Sequence, residues 1–352
     1  RSRQARTTDV LRGQSSVPGF PTRSGHVGAS LKRMDVVDWL LDGEPAVELA
    51  TRVRLLGEDA ASPVCMNLRR RLMREGTVSA ILAAQGPDGR WGERDRFYTA
   101  KYTGTVWSLV ILAEFGADGA DPRIRAAVEA ILADSWHPAS GGFGMSRSRR
   151  DGGGTAASVI PCLTGNMAFA LLRLGQADDP RVGATIDWIT TYLRFDDGDG
   201  PAPTGWPYDT YEMCWGRHTC SMGIVKALKA LAELPEPRRT PAVRVTIASA
   251  AEWLLVHHVH KRSHDLAKVS RPGWTKFGFP RMYQTDALEI LLLLTRLGYA
   301  DERMDEALDL VAAKRDDSGR WLLEDTFNDR FVASVETRRE PSRWVTLHAL
   351  EV

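Results

Sequence analysis

The stretch 109–131, LVILAEFGADGADPRIRAAVEAI, decides the architecture. Leu109, Leu112 and Phe115 keep the helical spacing of a buried face, which stops at Gly116, the residue that enters a left-handed C-cap without a Cβ penalty. After a short loop, Asp121-Pro122 opens a second helix. Asp is a strong N-cap, and the N–H that Pro lacks is unpaired at the first helical position anyway. Ile124, Val128 and Ile131 mark the buried face of that helix. The stretch is therefore a helical hairpin.

The pattern recurs. Leu171-Leu172, Leu174-Gly175, Asp179-Pro180-Arg181-Val182, Ile186 and Ile189 form one copy. Leu294, Leu297-Gly298, Asp301-Glu302-Arg303-Met304, Leu308 and Val311 form another, and 228–247 fits more loosely. Gly-rich turns carrying an aromatic residue close the hairpins: Gln85…Gly89-Arg90-Trp91, Gly141-Gly142-Phe143, Gly205-Trp206 and Lys314…Gly319-Arg320-Trp321. A ring at such a turn is expected to pack between neighbouring hairpins. Hairpins stacked side by side either stay an open solenoid or close into a ring. Strongly apolar inner helices such as Ala287–Leu294 favour closure around a common axis. The expectation is an all-α fold: an α/α toroid of about five to six hairpins over residues 31–352, with a partial unit at Met34 to Leu56. Residues 1–30, rich in Ser, Gly, Pro and Arg, are expected to be a flexible basic arm.

Composition bounds the function. Of 352 residues, 43% are apolar and 26% charged, which suits a globular chain. The net charge of +1 offers no basic field for nucleic acid. The densest apolar run, Ala287–Leu294, is far short of the roughly 20 residues of a membrane span. The basic N-terminal segment has no apolar core behind it, so no secretory signal is expected. Cys65, Cys162, Cys214 and Cys220 are too few for a disulfide framework, which points to a reducing, cytoplasmic setting.

The segment 80–91, AILAAQGPDGRW, resembles the Gln–Trp repeat of squalene–hopene and oxidosqualene cyclases, and Lys314…Gly319-Arg320-Trp321 is similar with Lys in place of Gln. With the hairpins, the resemblance covers roughly residues 66–352. It implies the α/α toroid shared by terpenoid cyclases, protein prenyltransferase β subunits and lanthionine cyclases. One fold hosts many reactions, so chemistry has to be read from a site.

In such a ring the starts of the inner helices meet at one mouth. Those starts are Lys101–Gly104, Cys162–Asn166, Arg217–Cys220, Tyr283–Asp286 and Arg343–Thr346. Asp286, Tyr283, His218 and Cys220 are the expected polar working groups. Cys162, Cys214, His218 and Cys220 are soft donors of the types zinc takes in tetrahedral sets, with packing as the alternative for the cysteines. Lanthionine cyclases place a Cys on one hairpin and a Cys-His pair on the next; here Cys220 is followed by Ser221. Prenyltransferases use an Asp, a Cys and a distant His; here Asp209 lies five residues before Cys214. A protonating cyclase wants Asp-x-Asp-Asp, whereas Asp196-Asp197-Gly198-Asp199 reads as a solvated turn. Trp206, Tyr208, Tyr211, Trp215, Trp274, Phe277, Phe279 and Tyr283 either line an apolar cavity or pack between hairpins. His257, His258, His260 and His264 follow a helix end and read as a cationic cap.

Three functions fit these residues. The first is an enzyme of terpenoid cyclase or prenyltransferase type acting on a hydrophobic, isoprenoid-like small molecule in a central cavity. The second is a zinc enzyme activating a thiol or a water. The third is a non-catalytic ring that binds a peptide or protein partner.

Overall fold

A computed structural model describes residues 36–216, 219–327 and 330–352. The proposed arm at 1–30 and the candidate His218 lie outside the described residues. The described chain is mostly helical, with one two-stranded antiparallel ribbon, β1 (Lys261–Arg262) and β2 (Asp265–Val269). No helix among the described residues is long and apolar enough to cross a membrane.

The hairpins fall where the repeat predicts them. Helix α1 (Pro45–Ala50), running on into a π-helical turn at Thr51–Leu55, precedes α2 (Pro63–Leu72) and α3 (Gly76–Ala83). Then come α4 (Thr105–Glu114) with α5 (Pro122–Ser135), and α6 (Pro161–Arg173) with α7 (Pro180–Tyr192). After the single turn α8 (Glu212–Trp215), α9 (Ser221–Ala232) pairs with α10 (Pro241–Val256). Helix α11 (Ala287–Arg296) pairs with α12 (Asp305–Ala313), and α13 (Arg343–Glu351) ends the chain.

Burial separates two sets of helices. Nine of ten residues of α4 and eleven of thirteen of α6 are buried, because neighbours cover them on all sides. In contrast, α5 and α7 bury one stripe each. The inner helices contact one another in succession: α4 with α6, α6 with α9, α9 with α11, α11 with α13, and α13 with the turn 51–55. The closest pair is α6 and α9. A Cβ on Gly165 would lie 2.5 Å from the carbonyl carbon of Lys226, so only glycine permits this approach.

Local chemistry repeats with the hairpins. The Asp121, Asp179 and Asp301 carboxylates accept from the N–H groups of Arg123 (2.8 Å), Arg181 (2.8 Å) and Arg303 (3.0 Å), as their N-cap positions require. Arg181 reaches back to Glu129 on α5 and Arg303 to Glu252 on α10, tying successive outer helices. At the aromatic turns, the Trp91 indole donates to the Ile81 carbonyl and Trp321 to Val311, both at 2.7 Å. The backbone N–H of the same residues donates to a threonine near the start of the next inner helix: Trp91 to Thr105 at 3.1 Å and Trp321 to Thr346 at 3.0 Å. Phe143 does so with Thr164 at 3.0 Å. Each turn is thus stitched to the hairpins on either side. Gly89 and Gly141 have φ near +80° and sit against backbone oxygens of Ala126 and Ala184, which leaves no room for a Cβ.

The expected turn at Gly205-Trp206 is corrected by the structure. The residue that donates to the threonine of that repeat is Arg194, to Thr219 at 3.0 Å, directly after α7. Trp206 belongs to a longer excursion between α7 and α9, and its indole donates to Ala156.

Candidate functional site

Two regions gather chemistry, one at the starts of the inner helices and one near their ends.

At the starts, three cysteines from two hairpins influence one another. Cys220 is the N-cap of α9, where its Sγ accepts from the Gly223 N–H at 3.4 Å. Its own N–H donates to the Cys214 carbonyl at 3.0 Å, which ties the start of α9 to α8. A hydrogen bond from the Cys214 thiol lowers the Cys220 pKa to about 7, against burial and with help from the Gly223 N–H. The same bond pushes Cys214 well above an ordinary thiol. Burial raises Cys162 to about 12, and nearby Cys220 adds to the rise. Cys162 is buried, while Cys214 and Cys220 are half-buried and reachable.

Aromatic residues from distant segments stand beside them. Tyr102 packs 4.5 Å from Phe327 and 6.4 Å from Tyr283, measured between ring centroids, and its hydroxyl accepts from the Gln284 amide at 3.0 Å. The Lys101 ammonium lies 4.4 Å from the Tyr283 ring centroid and 5.2 Å from that of Tyr98. Burial, then the neighbouring Cys162, raises the Tyr98 pKa, so this phenol stays protonated. Tyr98 is a member of the site that the sequence reading missed, because it lies before the helix start rather than in it.

Asp286 sits apart from this chemistry, although Tyr283 is only three residues away. It is buried as the N-cap of α11, accepting from the Glu289 N–H at 2.8 Å. Its second oxygen accepts from the Gly278 N–H at 3.0 Å and the Arg281 Nε at 2.7 Å. Burial pushes its carboxyl above the ordinary value, while the charge of Arg281 pulls it down. With both oxygens engaged, Asp286 brackets the 278–281 loop to α11.

As for zinc, among the described residues no three His, Cys, Asp or Glu side chains stand in a metal-holding arrangement. Cys162, Cys214 and Cys220 are chemically suitable donors, and the fourth candidate, His218, is outside the described residues.

Toward the other ends of the inner helices lies a cavity of about 260 Å³. Its wall is ionic. Both Glu289 oxygens accept from Lys226 Nζ at 2.7 Å, and Lys229 bridges Glu289 and Glu114. Burial pushes the Lys226 pKa down to about 8, against the pull of Glu289. Glu289 is held at about 2 by its two lysines despite burial. Arg54 and Arg296 meet on Glu351 at 2.5 and 2.6 Å, and His348 shares the wall. The sequence hinted at this only through Lys226 and Lys229 in an apolar helix and Glu289 in an apolar run.

No family model and no curated protein matches the chain. Among solved structures, a crystal structure of a protein from Actinoplanes is similar at 15% identity and a TM-score of 0.29, over 78% of this chain and 95% of that one. A likeness at that score carries no argument about fold or function.

Proposed function

We propose that the chain is a ring-shaped helical enzyme of the terpenoid cyclase and prenyltransferase type that works through the Cys220 thiolate at the mouth formed by its inner-helix starts. The ring is supported by the succession of inner helices, which runs from α4 to α13 and on to the turn 51–55. The observation that carries the chemistry is the placement of Cys220: N-cap of α9, half-buried, hydrogen-bonded by the thiol of Cys214 and the N–H of Gly223. A helix N-terminus and a thiol donor both favour the thiolate, the nucleophilic form. Sulfur would form the new bond to an electrophilic carbon, whose leaving group departs with the bonding pair.

The substrate reading follows the lining. Tyr98, Tyr102, Tyr283 and Phe327 offer ring faces at the mouth, which suits an apolar, isoprenoid-like body. The ionic cavity does not suit one, which favours the mouth over that cavity for the reaction. Zinc held by Cys162, Cys214, Cys220 and His218 is the second reading, favoured by the mutual influence of the three described cysteines. Bound zinc would keep a thiolate nucleophilic at neutral pH.

The test is the pH profile of iodoacetamide alkylation, located by peptide mass spectrometry. Cys220 should react first, with a rate midpoint near its pKa of about 7, and Cys214→Ala, which removes the donor, should move that midpoint upward. A Cys220 midpoint above about 8.5, the value of a free thiol, would end the thiolate reading. Metal content of protein purified without chelator, beside Cys162→Ala/Cys220→Ala, decides the zinc reading.

A further inference from the structure

The ionic cavity is the feature the proposed chemistry leaves unused. Four guanidinium groups line it. Arg281 is held by Asp286 and Asp325, and the other three come from three inner segments: Arg54 from the π-helical turn, Arg173 from the end of α6 and Arg296 from the end of α11. Two carboxylates serve them. Glu351 takes both Arg54 and Arg296, while Glu233 stands 3.5 Å from Arg173. Lys229 brings no spare charge, being held by Glu114 and Glu289. Among these three arginines and their two carboxylates one positive charge is left over, and the Nε of Arg54 has no hydrogen-bond partner among the described residues.

His348, on α13, faces the same space and is neutral there. Burial first, then the charges of Arg54, Arg296 and Lys229, hold its pKa well below the ordinary value. The like charges of Arg296 and Arg173 also help burial bring Arg54 down to about 10, with Glu351 opposing. Arg54 is the most enclosed of the three, while Arg173 and Arg296 stand at the exposed rim of the cavity. An outer depression of about 810 Å³ on the α1–α2 side shares Arg54, Glu114 and Arg173 with the cavity.

We propose that this cavity is a binding site for a small dianionic oxyanion, clamped by Arg54, Arg173 and Arg296, with His348 taking up a proton as the anion binds. The positive charge left over among these three arginines and the protonated imidazole then face the dianion. Planar guanidinium forks suit paired oxygens, whether of a phosphate-type group or a dicarboxylate. The site is separate from Cys220 and does not depend on thiol chemistry.

Titration calorimetry of the full chain with inorganic phosphate, sulfate and malonate, at matched ionic strength, tests this. Saturable binding with proton uptake, read from heats in buffers of different ionisation enthalpy, is expected for at least one anion. A preference for phosphate and sulfate assigns a phosphate-type ligand, and a preference for malonate a dicarboxylate. Arg173→Gln and Arg296→Gln should each weaken binding by at least roughly tenfold, the loss of one charge-assisted hydrogen bond. Arg244→Gln, on the exposed face of α10, should not weaken it. In NMR spectra the His348 ring should move toward its protonated shifts on binding. If the parent shows no saturable binding to any of the three, or folded Arg173→Gln and Arg296→Gln bind as the parent does, the site is a purely structural ion network and the proposal is wrong.

Discussion

Replacing Glu289 by Gln tests what holds the inner helices together. Lys226 is fully buried, and its ammonium lies 2.7 Å from both oxygens of Glu289 on the facing helix. Gln keeps the shape but removes the charge, leaving a buried ammonium without its counter-ion. Breaking a buried pair from one side costs about 3–5 kcal/mol, a large part of the 5–15 kcal/mol typical of a folded domain. The pH dependence fixes the cause. In the parent, the folded Lys226 pKa of about 8 lies below its unfolded value of 10.5, so this group adds stability only as pH rises from about 8 toward 10.5. Without Glu289 that folded pKa falls further, so the variant begins to recover below pH 8, before the parent gains anything. The gap between them should therefore narrow as pH rises toward 8. Glu289 acts on the acid side: its folded pKa of about 2 lies below 4.5, so its contribution is full above about pH 4.5 and fades toward pH 2. The variant lacks that acid limb. Urea unfolding at pH 4, 6 and 8 measures all of this. Lys226→Met/Glu289→Met should recover most of the loss, because an apolar pair needs no counter-charge. A loss under about 1 kcal/mol for Glu289→Gln, with a constant gap across pH, would refute the buried-pair account.

Other expectations are narrower. Gly165→Ala should destabilise the fold by about 1–3 kcal/mol, because its Cβ would meet the backbone of Lys226 and Ala227 rather than a movable side chain; thermal unfolding reads this directly. Thr346→Val should leave the buried Trp321 N–H without an acceptor and cost about 1–3 kcal/mol in urea, whereas Thr346→Ser should retain most of the stability. Asp286→Asn should lower stability by about 1–3 kcal/mol, because Arg281 loses one of its two carboxylates and keeps Asp325, while leaving Cys220 alkylation at its parental rate in the folded fraction. A changed alkylation rate there would put Asp286 back among the working groups.

The sequence by itself determined the hairpins. Glycine stops, Asp-Pro starts and three-to-four spacing are local instructions, each acting within a turn or two of chain, and the helices begin and end where they say. It also determined which segments begin the inner helices, and so predicted that Cys162, Cys220 and Tyr283 belong to one end. Tertiary structure decided what those residues do. Asp286 reads as an acid at a mouth, yet Gly278 and Arg281, from a loop without periodic signal, occupy its oxygens. The Gly205-Trp206 turn reads like its counterparts, but the hydrogen bond that marks the repeat comes from Arg194, set by packing after α7. The ionic cavity was least legible. Arg54, Arg173, Arg296 and His348 stand on different helices, and as single residues at helix ends they are indistinguishable from ordinary caps. Their shared electrostatics exists only once the helices are side by side, because charge interactions depend on separation and burial, neither of which a local pattern encodes.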